Sequence, residues 1–129
     1  MGKHICLAIL GGLFASQLLL AADVVDIKSD ALLERAKKMD ESFVILDVRT
    51  PEEFAQGHVP GAINIPHDKL ADRVAELLGA KNKDVVLYCR SGKRAGLAAE
   101  TLAANGFKKL LHLDGDMQKW AEANRPTEK

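Results

Sequence analysis

The chain has 129 residues with 18 basic and 18 acidic side chains, so it lacks the cationic excess by which proteins hold nucleic acid or an anionic membrane surface. Hydrophobic residues make up 47%, enough to fill one core, and the length leaves no room for a second domain. The only cysteines are Cys6 and Cys89, which excludes a disulfide-built scaffold.

Met1-Gly2-Lys3-His4 is a short basic start, Ile5 to Leu20 is apolar apart from Gly11, Gly12, Ser16 and Gln17, and Ala21 and Ala22 are small. This is the layout of a secretory leader, so residues 1–22 are expected to be a signal peptide and 23–129 a domain exported to the bacterial periplasm. Leu20 is bulky where a leader usually carries a small residue, and an uncleaved leader would instead anchor the domain to the inner membrane. Cleavage would remove Lys3 and Cys6, leaving 129 − 22 = 107 residues, 18 − 1 = 17 basic against 18 acidic side chains, and no stable membrane partner. Cys89 would then be a lone thiol in an oxidising compartment, either buried and inert or reactive.

Next along the chain, Leu32, Leu33, Ala36 and Met39 fall on one stripe of a helix over 29–39, with Ser29 or Asp30 as its cap. Phe43-Val44-Ile45-Leu46 reads as a buried strand. Pro51, Gly57, Pro60, Gly61 and Pro66 break the stretch 50–66 into a loop with short pieces of helix and strand. Leu70, Ala71, Val74, Leu77 and Leu78 share a face of a second helix over 68–78, which Gly79 would end in a left-handed conformation. Val85-Val86-Leu87-Tyr88 is another strand. A third helix runs from just after Cys89 to Asn105-Gly106, with Ala95, Ala98, Ala99, Leu102 and Ala103 inward. Leu110-Leu111-His112-Leu113 is a strand, and a last helix spans Met117 to Ala123. Continuous apolar strands alternating with helices predict an α/β fold of three layers, a mostly parallel central sheet flanked by helices.

In such sheets ligands sit beyond the carboxyl ends of the strands, and Cys89 stands there, followed by Arg90-Ser91-Gly92-Lys93-Arg94. Gly92 lets the backbone curl so that N–H groups from Arg90 to Ala95 turn toward the sulfur. The start of the next helix and the cations Arg90, Lys93 and Arg94 would stabilise negative charge at the same point. No acidic residue lies between Asp84 and Glu100, so these surroundings favour the nucleophilic thiolate.

Tyr88-Cys89-Arg90-Ser91-Gly92-Lys93-Arg94-Ala95-Gly96 resembles the active loop of the rhodaneses, in particular the small exported single-domain thiosulfate sulfurtransferases of the phage-shock E type. Leu46-Asp47-Val48-Arg49-Thr50-Pro51-Glu52-Glu53-Phe54 and the run from Gly57-His58-Val59-Pro60-Gly61 to Pro66 are similar to the family's upstream signature. Leu113-Asp114-Gly115 and Trp120 are similar to its closing motif, and the resemblance extends over about residues 24 to 126. The chain departs from the pattern at Asp116 and Asn124, where family members usually carry glycine.

The resemblance implies a rhodanese-like domain in which Cys89 takes a sulfane sulfur from thiosulfate or a similar donor as a persulfide, then gives it to a thiol or cyanide. Arg90, Ser91, Gly92, Lys93, Arg94 and Ala95 would bind the anionic substrate, with neither metal nor organic cofactor. It also implies that Asp47 and Arg49 are structural, tying loops around the site through an ion pair with Glu52 or Glu53.

Three other readings compete. Phosphatases and arsenate reductases with a related loop have five residues between cysteine and arginine, against four here. A non-enzymatic interaction module or persulfide carrier would share the fold. A cysteine hydrolase would need His58, His67 or His112 as a base, and none has a spacing that compels it; the histidines also lack metal-site spacing. Trp120 reads as core.

Overall fold

The computed structural model describes residues 23–129. The expected leader over 1–22 lies outside the described residues. In chain order the elements are β1 (Val24–Ile27), α1 (Ser29–Lys37), β2 (Phe43–Asp47), α2 (Pro51–Gln56), β3 (Ile63–Asn64) and α3 (Leu70–Arg73), which continues as a 3-10 turn over Val74–Ala80. After these come β4 (Asp84–Tyr88), α4 (Lys93–Ala104), β5 (Leu110–Leu113) and α5 (Asp116–Glu122). The strands form one parallel sheet in the order β1-β5-β4-β2-β3.

Both faces of this sheet are covered, which is why its inner strands are continuous apolar runs rather than alternating ones. Along β4 and the residue after it, Val85, Leu87 and Cys89 enter the core shared with α3, the 3-10 turn and α4. Val86 and Tyr88 enter a second core with Leu32 of α1 and Trp120 of α5. Ala95, Ala98 and Ala99 let α4 lie close to the sheet, and Leu102, also fully buried, completes its inner stripe. Truncating Leu102 to alanine should cost about 2–5 kcal/mol.

The structure differs from the sequence expectations at four places. α1 is entered from Lys28 with no side-chain cap; Ser29 is already helical, and the Asp30 carboxylate accepts the Ala31 N–H at 2.9 Å. The reason is proximity, since β1 ends at Ile27 and the helix begins almost directly from it. Met39 is off the buried stripe, 84% exposed, because it terminates α1 at a φ of 52°. The segment 68–78 is a short α-helix followed by a 3-10 turn that runs past Gly79 to Ala80, so Gly79 is not left-handed. A period of three places Leu77 and Ala80 together in the core and turns Leu78 outward.

The fourth difference is β1, an edge strand absent from the expected set. Its Val25 and Asp26 are exposed, and it therefore lacks the continuous apolar signal of the inner strands. The stretch 50–66 does hold the expected short pieces, α2 and β3.

Candidate active site

Cys89 leaves the sheet at the carboxyl end of β4, 1% exposed. Gly92, at a φ of 112°, turns the chain back so that its own N–H reaches the Cys89 Sγ at 3.0 Å. The Ala95 N–H, in the first turn of α4, donates to the same sulfur at 3.4 Å. Of the expected ring of amides from Arg90 to Ala95, these are the two that bond Sγ. Both are fixed before any ligand arrives, and the first turn of α4 adds the positive end of its dipole.

The side chains of Arg90, Ser91 and Lys93 are exposed beside this turn, whereas Arg94 is not a free cation. Its guanidinium donates to both carboxylate oxygens of Glu53, at 2.7 and 3.1 Å. Glu53 also completes a capping box at the start of α2, its N–H donating to the Thr50 hydroxyl while its carboxylate accepts the Thr50 N–H. The Arg94 hydrogen bonds, with those from Thr50, lower the Glu53 carboxyl to about 2 against a burial effect that opposes them. Glu53 lies too far from the loop in sequence for a local charge reading to find it.

Asp47 and Arg49 stand at the end of β2, next to β4 in the sheet. The expected ion pair to Glu52 or Glu53 is not formed, because Arg49 turns back on Asp47 itself. Its Nη2 donates to Asp47 Oδ2 at 2.7 Å and to the Gly57 carbonyl at 2.8 Å, while its backbone N–H and Nε donate to Asp47 Oδ1 at 2.9 and 3.0 Å. Asp47 is fully buried. Burial, the largest single effect, would lower the Arg49 guanidinium, but the hydrogen bonds and charge of Asp47 together with Tyr88 outweigh it and hold the group above its ordinary value. The Tyr88 hydroxyl accepts the Val59 N–H at 3.0 Å, and burial followed by the nearby Asp47 charge pushes its phenol up. This network ties β2, β4 and the segment 57–59 together behind the loop.

A second carboxylate, Asp116, was not singled out as a site residue by sequence reasoning. It occupies the glycine position of the closing motif with a φ of 53° and is 2% exposed. Its Oδ1 accepts the Cys89 N–H at 3.0 Å, and both its oxygens lie 2.9–3.0 Å from His112 Nε2. The departure from the family pattern was the available signal, and its meaning depends on a backbone that brings 116 beneath 89. The N–H groups of Met117 and Gln118 donate to the carbonyls of Cys89 and Arg90, so the first turn of α5 holds the loop from below.

The other histidines stand elsewhere. His58 stacks on Phe54 with ring centroids 3.6 Å apart, and its Nδ1 is 2.9 Å from the Phe54 carbonyl. The backbone N–H of His67 donates to the Val48 carbonyl. Among the described residues no histidine hydrogen-bonds Sγ. Trp120 is core, its Nε1 donating to the Pro126 carbonyl at 2.8 Å.

Comparisons with known proteins agree with this geometry. Residues 30–123 match the rhodanese-like domain family. A sulfurtransferase of Allochromatium vinosum is 37% identical over 103 residues, covering 80% of this chain and 94% of that one. The thiosulfate sulfurtransferase PspE of Escherichia coli is 40% identical over 70 residues, 54% of this chain and 67% of that one. The crystal structure of a rhodanese-related protein from Thermoplasma volcanium superimposes with a TM-score of 0.69 at 29% identity, covering 81% of this chain and 97% of that one. With a sulfur held by loop amides at the end of a central parallel strand and a family match across most of the domain, the chain belongs to the rhodanese-like family, which includes sulfurtransferases.

Proposed function

We propose that the protein is a thiosulfate-type sulfurtransferase working through a Cys89 persulfide. The Cys89 thiolate attacks the outer sulfur of thiosulfate, the S–S bond of the donor breaks, and sulfite leaves with the electron pair. A thiolate or cyanide then attacks the terminal sulfur of the persulfide, and the Cys89 thiolate departs. Small sulfur-containing anions and thiol acceptors are thus its partners. The observation that carries the reading is the pair of N–H donors from Gly92 and Ala95 already aimed at Sγ, donors that would equally stabilise the charge of a persulfide. The exposed Arg90 and Lys93 would attract the donor's anionic end. The thiosulfate activity in the name of the Escherichia coli relative supports this donor.

Arg94 argues against the phosphatase reading. A bound phosphoryl group would draw on the five N–H donors of this guanidinium, and two of them, one on each Nη, are already engaged by Glu53. The expected leader supports export, and a mature N-terminus at Asp23 is the corresponding test. The function itself is tested by mass: purified protein treated with thiosulfate should gain one sulfur atom, and Cys89→Ser should not. Absence of that gain from any sulfane donor would remove the assignment, while uptake without release to cyanide or thiols would make the protein a carrier.

A further inference from the structure

Asp116 is an expensive residue for its position. Aspartate tolerates the left-handed region better than most side chains, but a carboxylate almost without solvent needs its charge offset. It also sits under a sulfur that is to carry negative charge, where a second anion is unfavourable. Outliers of this kind point to a role.

The offset comes from His112. Its Nε2 faces Asp116 at 2.9 Å, and its Nδ1 lies 3.4 Å from Asp26 Oδ1. Each ring nitrogen thus meets a carboxylate, an arrangement that suits an imidazolium, in which both nitrogens donate, and not a neutral ring, which must turn a lone pair on one of them. The charged groups facing the ring are Asp116 from α5 and Asp26 from β1; the active loop presents Gly92, whose added Cβ would stand 3.7 Å from the His112 ring and 3.2 Å from Asp116 Oδ2. The exposed cations of that loop, Arg90 and Lys93, precede and follow this glycine.

We propose that His112 and Asp116 form a positioning pair under the active loop: Asp116 fixes the Cys89 backbone, and the His112 proton cancels the Asp116 charge so that an anion can form on Sγ. The inference rests on the sulfurtransferase reading and deepens it. Its direction follows from charge alone. While His112 is protonated the pair is neutral and the anionic donor meets only the loop amides and cations. When the proton leaves, the Asp116 carboxylate is uncompensated one hydrogen bond from the Cys89 amide, and both the thiolate and a bound dianion become less favourable. The Asp116 hydrogen bond, supported by Asp26 and opposed by burial, raises His112 above an ordinary histidine, which moves this loss to the alkaline side of neutrality's usual histidine range.

The test uses single-turnover sulfur uptake from thiosulfate, because thiosulfate keeps its charge across the range. The uptake rate of the natural protein should fall on an alkaline limb by about five- to tenfold, as expected for coupling between neighbouring sites, with a midpoint equal to that of His112 measured by NMR. His112→Gln should lose the limb and run at the lower rate throughout; an unchanged limb in this variant overturns the proposal. A second measurement does not depend on sulfur transfer. By reciprocity, the His112 midpoint should be lower in Cys89→Ser, which removes the anion, than in the natural protein, and lower again in Asp116→Asn. Equal midpoints in the natural protein and Cys89→Ser would sink the pair even where sulfur uptake is normal; failure of uptake with shifted midpoints would instead sink the donor assignment alone.

Discussion

The Arg94 guanidinium is held by both oxygens of Glu53, and this pairing removes one of the three loop cations from the surface that an incoming anion meets. Lys93 and Arg94 are adjacent in sequence yet do different work. Lys93→Ala should raise KM for thiosulfate and flatten its dependence on ionic strength, because an exposed charge acts through screened attraction. Arg94→Ala should change that salt dependence less and lower the denaturation midpoint more, since it strands Glu53. Kinetics at several salt concentrations, alongside urea denaturation, separate the two.

Glu53 gives the same pairing a pH signature. Its carboxyl is lowered in the fold to about 2 from a usual value near 4.5, so the stability it contributes is present above the usual value and lost as pH falls through the lowered one. The difference in urea midpoint between the natural protein and Glu53→Gln should therefore be constant from neutral pH to about 5 and shrink toward pH 2.

Asp47→Ala should unfold the protein more readily without removing the chemistry. It would leave the Arg49 guanidinium buried, with the Gly57 carbonyl in place of a counter-charge, and loss of one partner of a buried pair costs about 3–5 kcal/mol. Turnover per folded molecule should fall much less than stability does. Lost turnover at unchanged stability would make Asp47 part of the substrate site instead.

His112 should stabilise the fold in the opposite sense to Glu53. Because its value is raised by Asp116 and, more weakly, by Asp26, its contribution is complete below the ordinary histidine value of about 6.5 and disappears as pH rises through the folded one. The Tm difference between the natural protein and His112→Gln should be largest at pH 6 and smallest at the alkaline end.

Met39 closes α1 with a φ of 52°, its N–H donating to the Ala36 carbonyl, and its side chain is 84% exposed. Met39→Gly removes backbone strain without emptying any core and should raise stability by up to about 1 kcal/mol. Asn124 ends α5 in the same conformation, with its N–H on the Ala121 carbonyl and that of Arg125 on the Trp120 carbonyl. Asparagine tolerates that geometry, so Asn124→Gly should gain less than Met39→Gly.

Much of the architecture was legible because β2, β4 and β5 are buried on both faces, and a strand with two apolar faces writes itself as an unbroken run. Cys89 was legible for a related reason, standing where such a run meets a glycine and a helix start. β1 was not, since an edge strand with Asp26 and Val25 exposed carries no such run. The charges of the site were the least legible part. No acid occurs between Asp84 and Glu100, yet the folded chain brings Glu53 onto Arg94 and Asp116 onto the Cys89 amide from other segments. Local sequence shows which groups a loop owns and is silent on what the rest of the molecule brings to it.

The carbonyls of Cys89 and Arg90 are received by Met117 and Gln118, and the Cys89 amide by a carboxylate 27 positions downstream. A chain emerging from the ribosome therefore lacks these three hydrogen bonds to its loop until the segment beyond Gly115 has joined it. A polypeptide cut short before α5 would keep the cysteine and the two amides on its sulfur while losing the support that holds the loop from below.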